Sequence, residues 1–287
     1  MHIQNHEEPI IVDMGQTILE SALTQGIDYP HGCRSGNCGA CKSILLSGDV
    51  EMSPYSDFAL SKDEKDRGLI LACRAVPWSN CSVRPIDEDD IAVYASRHLT
   101  CKVIEILEGT HDIRIIRLAI MSGGPYEFAA GQYAEVGFNG VPVRDYSMAN
   151  QPGQECLEFH IRLIQGGIVS LYVDKELETG ETVMVKGPFG TAFFRENHTG
   201  PIIAAAGGSG LAPIKSIVET ALAKGASQNI YFYFGVRDRR DMYFYESFLA
   251  LSAKYSNLNF IPVLSEPSSD TEWRRGFLSD ALEEDFT

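Results

Sequence analysis

The rhythm of hydrophobic and polar positions changes twice along this chain. Up to residue 86, short apolar runs alternate with polar turns, and residues 9–12 and 43–46 carry strand patterns. Thr17-Ile18-Leu19-Glu20 is a capping box that opens a helix running to Gln25, and Ser61-Lys62-Asp63-Glu64 is a second one on a short polar helix. From 99 to 187 short strand patterns recur at 101–107, 113–120, 132–136, 157–163 and 183–186, with only 169–177 helical, which predicts an antiparallel barrel. Beyond Pro201 a buried run at 202–206 leads through Gly207-Gly208 into helical spacing over 211–224. A strand at 229–234, a helix at 243–255 and a strand at 259–264 follow. That βαβαβ alternation predicts a parallel α/β sheet.

The three textures divide the chain into expected domains at 1–86, 96–196 and 200–287, joined first by a connector over 85–95 that carries the acidic run Asp87-Glu88-Asp89-Asp90. A length of 287 residues accommodates two domains, or three small ones. The formal charge of −15 is spread evenly: 7 basic against 13 acidic groups in 1–88, 9 against 15 in 89–199, and 8 against 11 in 200–287. No part offers a basic face for phosphate backbones, so nucleic acid is not an expected partner. The longest weakly polar run, 201–214, is broken by glycines and too short for a membrane span, so no membrane association is expected. Nor do the first residues show a basic and then apolar leader, and a cytoplasmic location is expected.

Cysteine placement carries the first chemistry. Cys33, Cys38 and Cys41 crowd into nine residues and Cys73 follows, whereas Cys81, Cys101 and Cys156 read as ordinary buried or half-buried thiols. Cys-x4-Cys-x2-Cys with a distant fourth Cys is plant-type [2Fe–2S] spacing. Four thiolates serve two irons, and Gly32, Gly36 and Gly39 let the loop take positive φ and turn its N–H groups toward the sulfurs. Tetrahedral zinc is the competing use of four cysteines, disfavoured by the spacing and the glycine density.

Further motifs sit at the predicted strand ends. Arg144 can pair with a pyrophosphate, Tyr146 lies on the same strand face and can cover a planar ring, and Ser147 can reach a ring nitrogen. The plain alternative is an edge-strand salt bridge with a half-buried tyrosine. Gly166-Gly167, with Ser170 close behind, opens the barrel's helix, whose first N–H groups can hold phosphate. Gly207-Gly208-Ser209-Gly210, with Pro213 in the first helical turn, joins strand to helix as a dinucleotide turn does. Gly235 and Arg237 end the next strand beside it. Arg237, Arg239 and Arg240 raise the question of a 2′-phosphate, but Asp238 and Asp241 interleave with them and oppose a dianion, which favours NADH. His160 reads as a satisfied barrel histidine, and His31 as unnecessary to the cysteine loop.

Taken in order, these motifs make the chain resemble the reductase components of multicomponent bacterial oxygenases. These join a plant-type ferredoxin domain to a pair of domains similar to ferredoxin-NADP⁺ reductase. The resemblance implies a β-grasp ferredoxin domain, a six-stranded antiparallel FAD barrel and a parallel α/β NAD domain, together a multidomain α+β protein. It implies Cys33, Cys38, Cys41 and Cys73 as cluster ligands. Tyr146 and Ser147 would lie at the isoalloxazine as catalytic residues, and Arg144 at the pyrophosphate. The turns Gly166, Gly167, Ser170 and Gly207, Gly208, Ser209, Gly210, Pro213, with Gly235 and Arg237, would hold the FAD and NADH phosphates.

The implied reaction passes electrons from NADH through FAD and the [2Fe–2S] cluster to a ferredoxin or terminal oxygenase. Two departures stand out: Ser209 replaces the usual Thr, and the family's later Cys-Gly-Pro turn and terminal aromatic are not reached by Thr287. The resemblance therefore implies a C-terminally incomplete NAD domain, with a further strand due after Gly276-Phe277-Leu278. Three other readings stay open at this point: reductase of a diiron monooxygenase or of a sugar-deoxygenation system, a ferredoxin-like carrier without enzymatic activity, and a zinc-binding interaction module.

Overall fold

The computed structural model describes every residue except Asn5, Glu7, Asp28, Phe58, 87–93 and Thr287, so the acidic connector run lies outside the described residues. Contacts divide the chain into two compact units, residues 1–92 with 190–192, and residues 93–189 with 193–287.

In the first unit, strands β1 (His2–Ile3), β2 (Lys42–Ser47), β4 (Leu69–Leu71) and β6 (Ser82–Pro85) form a sheet in the order β1-β6-β2-β4. Strands β3 (Val50–Met52) and β5 (Ala75–Pro77) pair separately. Helix α1 (Ile18–Thr24) begins at the predicted capping box, with Thr17 Oγ1 accepting from the Glu20 N–H at 3.2 Å and Glu20 returning the bond to the Thr17 N–H at 2.9 Å. Ser61 and Glu64 do the same for α2 (Lys62–Asp66). Ile18, Leu19 and Ala22 on α1 pack with Leu71 and Val83 in this unit's core.

The strand expected over 9–12 does not form. Met1 and Ile10 exchange both main-chain bonds, at 2.9 and 2.8 Å. The Ile11 N–H and C=O are then taken by the Gln25 side-chain amide, at 3.1 and 2.6 Å, so the ladder stops after one residue.

The second unit opens with a six-stranded antiparallel sheet built from β7 (Arg97–Thr110), β8 (Ile113–Ser122), β9 (Tyr133–Gly137), β10 (Arg144–Ser147), β11 (Cys156–Arg162) and β12 (Thr182–Phe189). The order β10-β9-β12-β7-β8-β11 is nearly closed by a bridge from Met148 to Phe159. Leu99, Val103, Ile116, Val136, Phe159 and Val185 fill the interior, with α3 (Ile168–Lys175) across one end through Val169 and Val173.

A parallel sheet follows in the order β13 (Ile202–Gly207), β14 (Ile230–Val236), β15 (Leu258–Leu264), β16 (Arg274–Arg275), with α4 (Leu211–Ala223) and α5 (Tyr245–Lys254) as crossovers. Its core takes in Ile113 and Ile115 from β8, so barrel and parallel sheet share buried surface. After Gly276 the chain forms a helix, α6 (Leu278–Phe286), in place of the strand expected there. Leu278, Ala281 and Leu282 recur at helical spacing and pack on Tyr231, Tyr233 and Val263. No helix among the described residues is long and apolar enough to cross a membrane.

Candidate functional site

In the first unit the four cysteines meet as two pairs. The Cys33 N–H donates to Cys38 Sγ at 3.3 Å, and the Cys73 N–H to Cys41 Sγ at 3.5 Å. The N–H groups of Ser35 and Asn37 point at Cys33 Sγ, at 3.5 and 3.3 Å. Burial pushes the Cys33 thiol up, but the Ser35 hydroxyl and these N–H groups bring it down to about 6. The hydrogen bond between Cys41 and Cys73 pushes Cys41 up and Cys73 down. Gly36 and Gly39 take positive φ as expected, while Gly32 does not. Gly32 is there for space, since a Cβ would stand 3.0 Å from Cys38 Sγ.

Paired thiols ringed by backbone donors fit a group that needs two thiolates on each of two irons and hydrogen bonds to offset its negative charge. Cys81 and Cys101 are buried elsewhere and Cys156 is half-buried.

On the barrel, β10 carries Arg144, Tyr146 and Ser147, paired with Val136, Ala134 and Tyr133 of β9. Arg144 is exposed and donates to the Val143 carbonyl at 2.8 Å. It has no carboxylate partner among the described residues, so the edge-strand ion pair is not made. Tyr146 is half-buried against the barrel core, and burial pushes its phenol up to about 12. Gly167 starts α3 without a side-chain cap, leaving the first N–H groups of the helix for a ligand. Ser170 holds that turn shut: its hydroxyl accepts from the Ile164 N–H at 2.9 Å and donates to the Arg162 carbonyl at 3.4 Å. An exposed cation without a carboxylate partner among the described residues, a partly covered aromatic face and uncapped helix N–H groups suit a flavin with its phosphates.

The parallel sheet opens on a cavity of about 430 Å³ at the carboxyl ends of its strands, where such sheets bind ligands. Gly208, Gly235, Arg237 and Ser265 line it from this sheet. Gly207, Ser209, Gly210 and Pro213 belong to the same strand–helix turn without lining the cavity. Gly235 is required by close approach, because a Cβ there would lie 2.5 Å from Leu278 Cγ. Arg237 is shared between Asp112 and Asp241, at 3.7 and 3.6 Å. Arg239 lies over the Trp273 ring at 4.5 Å, and Asp238 accepts from the Arg239 and Ser268 N–H groups.

Three cavity residues come from the barrel, and beside the apolar Ile113 stand two charged ones with no motif in the sequence to mark them. Arg162 ends β11 and Asp112 precedes β8, and they pair at 3.2 Å. A signal for Arg162 was present. Glu158, His160 and Arg162 alternate with Leu157, Phe159 and Ile161, a polar stripe on the second face of a strand whose first face is core.

Three families match the chain in sequence order: the 2Fe-2S iron-sulfur cluster binding domain over residues 1–77, the oxidoreductase FAD-binding domain over 100–194, and the oxidoreductase NAD-binding domain over 205–287. The ferredoxin–NAD(P)⁺ reductase component of a Ralstonia naphthalene 1,2-dioxygenase/salicylate 5-hydroxylase system is 38% identical over 275 residues, 95% of this chain and 82% of that one. The reductase component of a Pseudomonas phenol 2-monooxygenase is 33% identical over 285 residues, 97% and 80% of the two chains. Among solved structures, the Amycolatopsis cytochrome P450 reductase GcoB superposes with a TM-score of 0.73 at 34% identity, covering 99% of this chain and 86% of that one.

Proposed function

Since this chain belongs to the family of reductase components of multicomponent oxygenase systems, we propose that it delivers electrons from NADH to the ferredoxin or terminal oxygenase of an aromatic-compound dioxygenase. It is an NAD(P)H-dependent iron–sulfur flavoprotein oxidoreductase that uses FAD, a [2Fe–2S] cluster and a nicotinamide nucleotide. When bound, FAD accepts a hydride and the cluster passes its electrons on singly.

The residues are read in these roles. Cys33, Cys38, Cys41 and Cys73 hold the irons. Tyr146 and Ser147 lie at the flavin ring, Arg144 and the start of α3 at its phosphates. The turn from Gly207 to Gly210, with Gly235, Arg237 and Arg162, orients the nicotinamide nucleotide. The domains are taken as 1–86, 96–196 and 200–287. NADH is preferred to NADPH because Asp238 and Asp241 stand among Arg237, Arg239 and Arg240 and oppose a 2′-phosphate dianion. A cytoplasmic site, supplied with NADH, is where such a reductase works.

The observation that carries this reading is the pairing of the four thiols in one chain with a glycine-lined crevice at the ends of a parallel sheet. Iron, sulfide and flavin analysis of the purified protein, followed by anaerobic NADH addition, tests the cofactor path. Catalytic turnover of a naphthalene-type dioxygenase with its ferredoxin tests the partner. A monooxygenase partner is the second reading, favoured by the phenol 2-monooxygenase relative. Turnover with a phenol hydroxylase and none with the dioxygenase would select it.

A further inference from the structure

Behind the dinucleotide turn runs a buried polar chain that the electron path does not use. Tyr243, 5% exposed, reaches the Gly208 carbonyl at 3.4 Å and His160 Nδ1 at 3.0 Å. His160, 4% exposed, reaches Glu158 Oε1 with Nε2 at 3.1 Å and stacks on Phe244 at 5.6 Å. Arg117 binds the other Glu158 oxygen at 2.9 Å and Glu105 at 2.7 Å. Lys215 of α4 stands 3.3 Å from Glu158 and 3.2 Å from Glu219. Burial pushes the Glu158 carboxyl up, but His160, Lys215 and Arg117 hold it at about 2, so Glu158 is an anion that only accepts.

Proton counting then leaves two arrangements. With His160 neutral, Nε2–H donates to Glu158, and the bare Nδ1 takes the single phenolic proton of Tyr243. The Gly208 carbonyl then keeps its bond from the Leu211 N–H and loses the one from the phenol. With His160 protonated, Nδ1–H donates to the Tyr243 oxygen and the phenolic proton turns to Gly208. That bond pins the Gly208–Ser209 peptide, whose trans geometry points the Ser209 N–H away from Tyr243. It also strengthens that N–H as a donor.

We propose that Tyr243 and His160 are positioning residues for the nicotinamide nucleotide, the proton on His160 deciding whether the phenol holds the Gly208–Ser209 peptide in its anion-receiving orientation. The proposal rests on the reading of Gly207–Gly210 as the dinucleotide turn. Burial depresses the His160 pKa and Glu158 opposes that, so the change falls below the usual histidine range. An anionic nucleotide at the turn favours the protonated form, and by linkage it binds more tightly in acid.

The test is NAD⁺ titration of the FAD-loaded protein from pH 8 downward through the protonation of the His160 ring, which is followed by NMR in the same samples. The wild type is expected to tighten by about threefold to tenfold, the range of one hydrogen bond. Tyr243→Phe removes the phenol, and His160→Gln holds it permanently as the neutral ring does. Both variants should bind at every pH as the wild type does at pH 8. His111→Gln, which removes the exposed histidine beside Asp241, should keep the wild-type tightening. A wild-type affinity independent of pH, or full tightening in Tyr243→Phe, overturns the proposal; the latter would assign the effect to general loss of negative charge. Gly210→Asp separates the underlying reading. If it leaves NAD⁺ affinity unchanged, the turn is not the nucleotide site and the proposal falls with it. If it weakens NAD⁺ while Tyr243→Phe behaves as wild type, only the positioning role fails.

Discussion

Replacing Gly210 by Asp separates the stability of the α4 start from its use as an anion site. Gly210 is the N-cap of α4, with φ −62° and ψ −6° and no side-chain cap. A Cβ there meets nothing within 4 Å, so the substitution is not opposed by sterics or by backbone strain. The backbone at Gly210 is already helical, continuing the turn over Gly208–Gly210, so an Asp there acts through its charge, which complements the helix N-terminus and contributes about 0.3–1 kcal/mol to folding. The same charge stands where the two negative charges of a dinucleotide pyrophosphate are to be received. At a separation of roughly 6 Å and an effective dielectric of about 30–50, each charge pair costs about 1–2 kcal/mol.

Two pairs amount to about 2–4 kcal/mol, or an affinity loss of roughly 30-fold to several hundred-fold. The neutral Gly210→Asn keeps the size of the side chain without the charge and should lose less than about threefold, because the electrostatic cost is absent. NADH-dependent ferricyanide reduction gives KM for both variants, and thermal unfolding gives their stability. Gly210→Asp should show a raised KM that recovers partly at high salt, with a melting temperature no lower than wild type. An unchanged or higher melting temperature with KM within twofold of wild type would refute the assignment of this helix start to the nucleotide.

Further outcomes follow from the other sites. Cys38→Ser should abolish the iron–sulfur absorption and electron paramagnetic resonance signal while NADH-dependent ferricyanide reduction persists. Loss of that activity in folded, flavin-bearing protein would contradict separate cluster and flavin sites. KM for NADPH should exceed that for NADH, and a comparable or lower value at equal kcat would count against Asp238 as the discriminating charge.

Stability should fall on acidification in two stages. Burial holds His160 below its ordinary 6.5, so the unfolded chain binds that proton more readily, and stability present above about pH 6.5 is lost below it. Glu158, held at about 2 against an ordinary 4.5, contributes stability present above about pH 4.5 and lost as pH falls toward 2. Melting temperature against pH for wild type and His160→Gln checks this; an equal slope between pH 6.5 and 5 in both would exclude His160 as the first stage.

What the chain carries locally, the sequence alone determined. The cysteine spacing, the capping boxes at Thr17 and Ser61, the change of period from two to 3.6 after Pro201, and the glycine turn after a buried run are each decided within a few residues. Bond geometry and side-chain periodicity act over that same range. Residues 9–12 mark where this stops, since an apolar run extends as a strand only if a neighbour accepts its N–H groups, and Gln25 is nearer.

Tertiary structure alone decided which elements share a site. Arg162 and Asp112 reach the cavity only because the barrel packs against the parallel sheet through Ile113 and Ile115. His160 shows the same limit. Strand alternation places it on one face of β11, where it is buried with both ring nitrogens partnered, as a satisfied barrel histidine is expected to be. Its partners are another matter: Tyr243 lies 83 residues away on a different sheet's connection. Such a contact is made by buried surface and the shared need of polar groups for partners, and neither leaves a trace in local spacing.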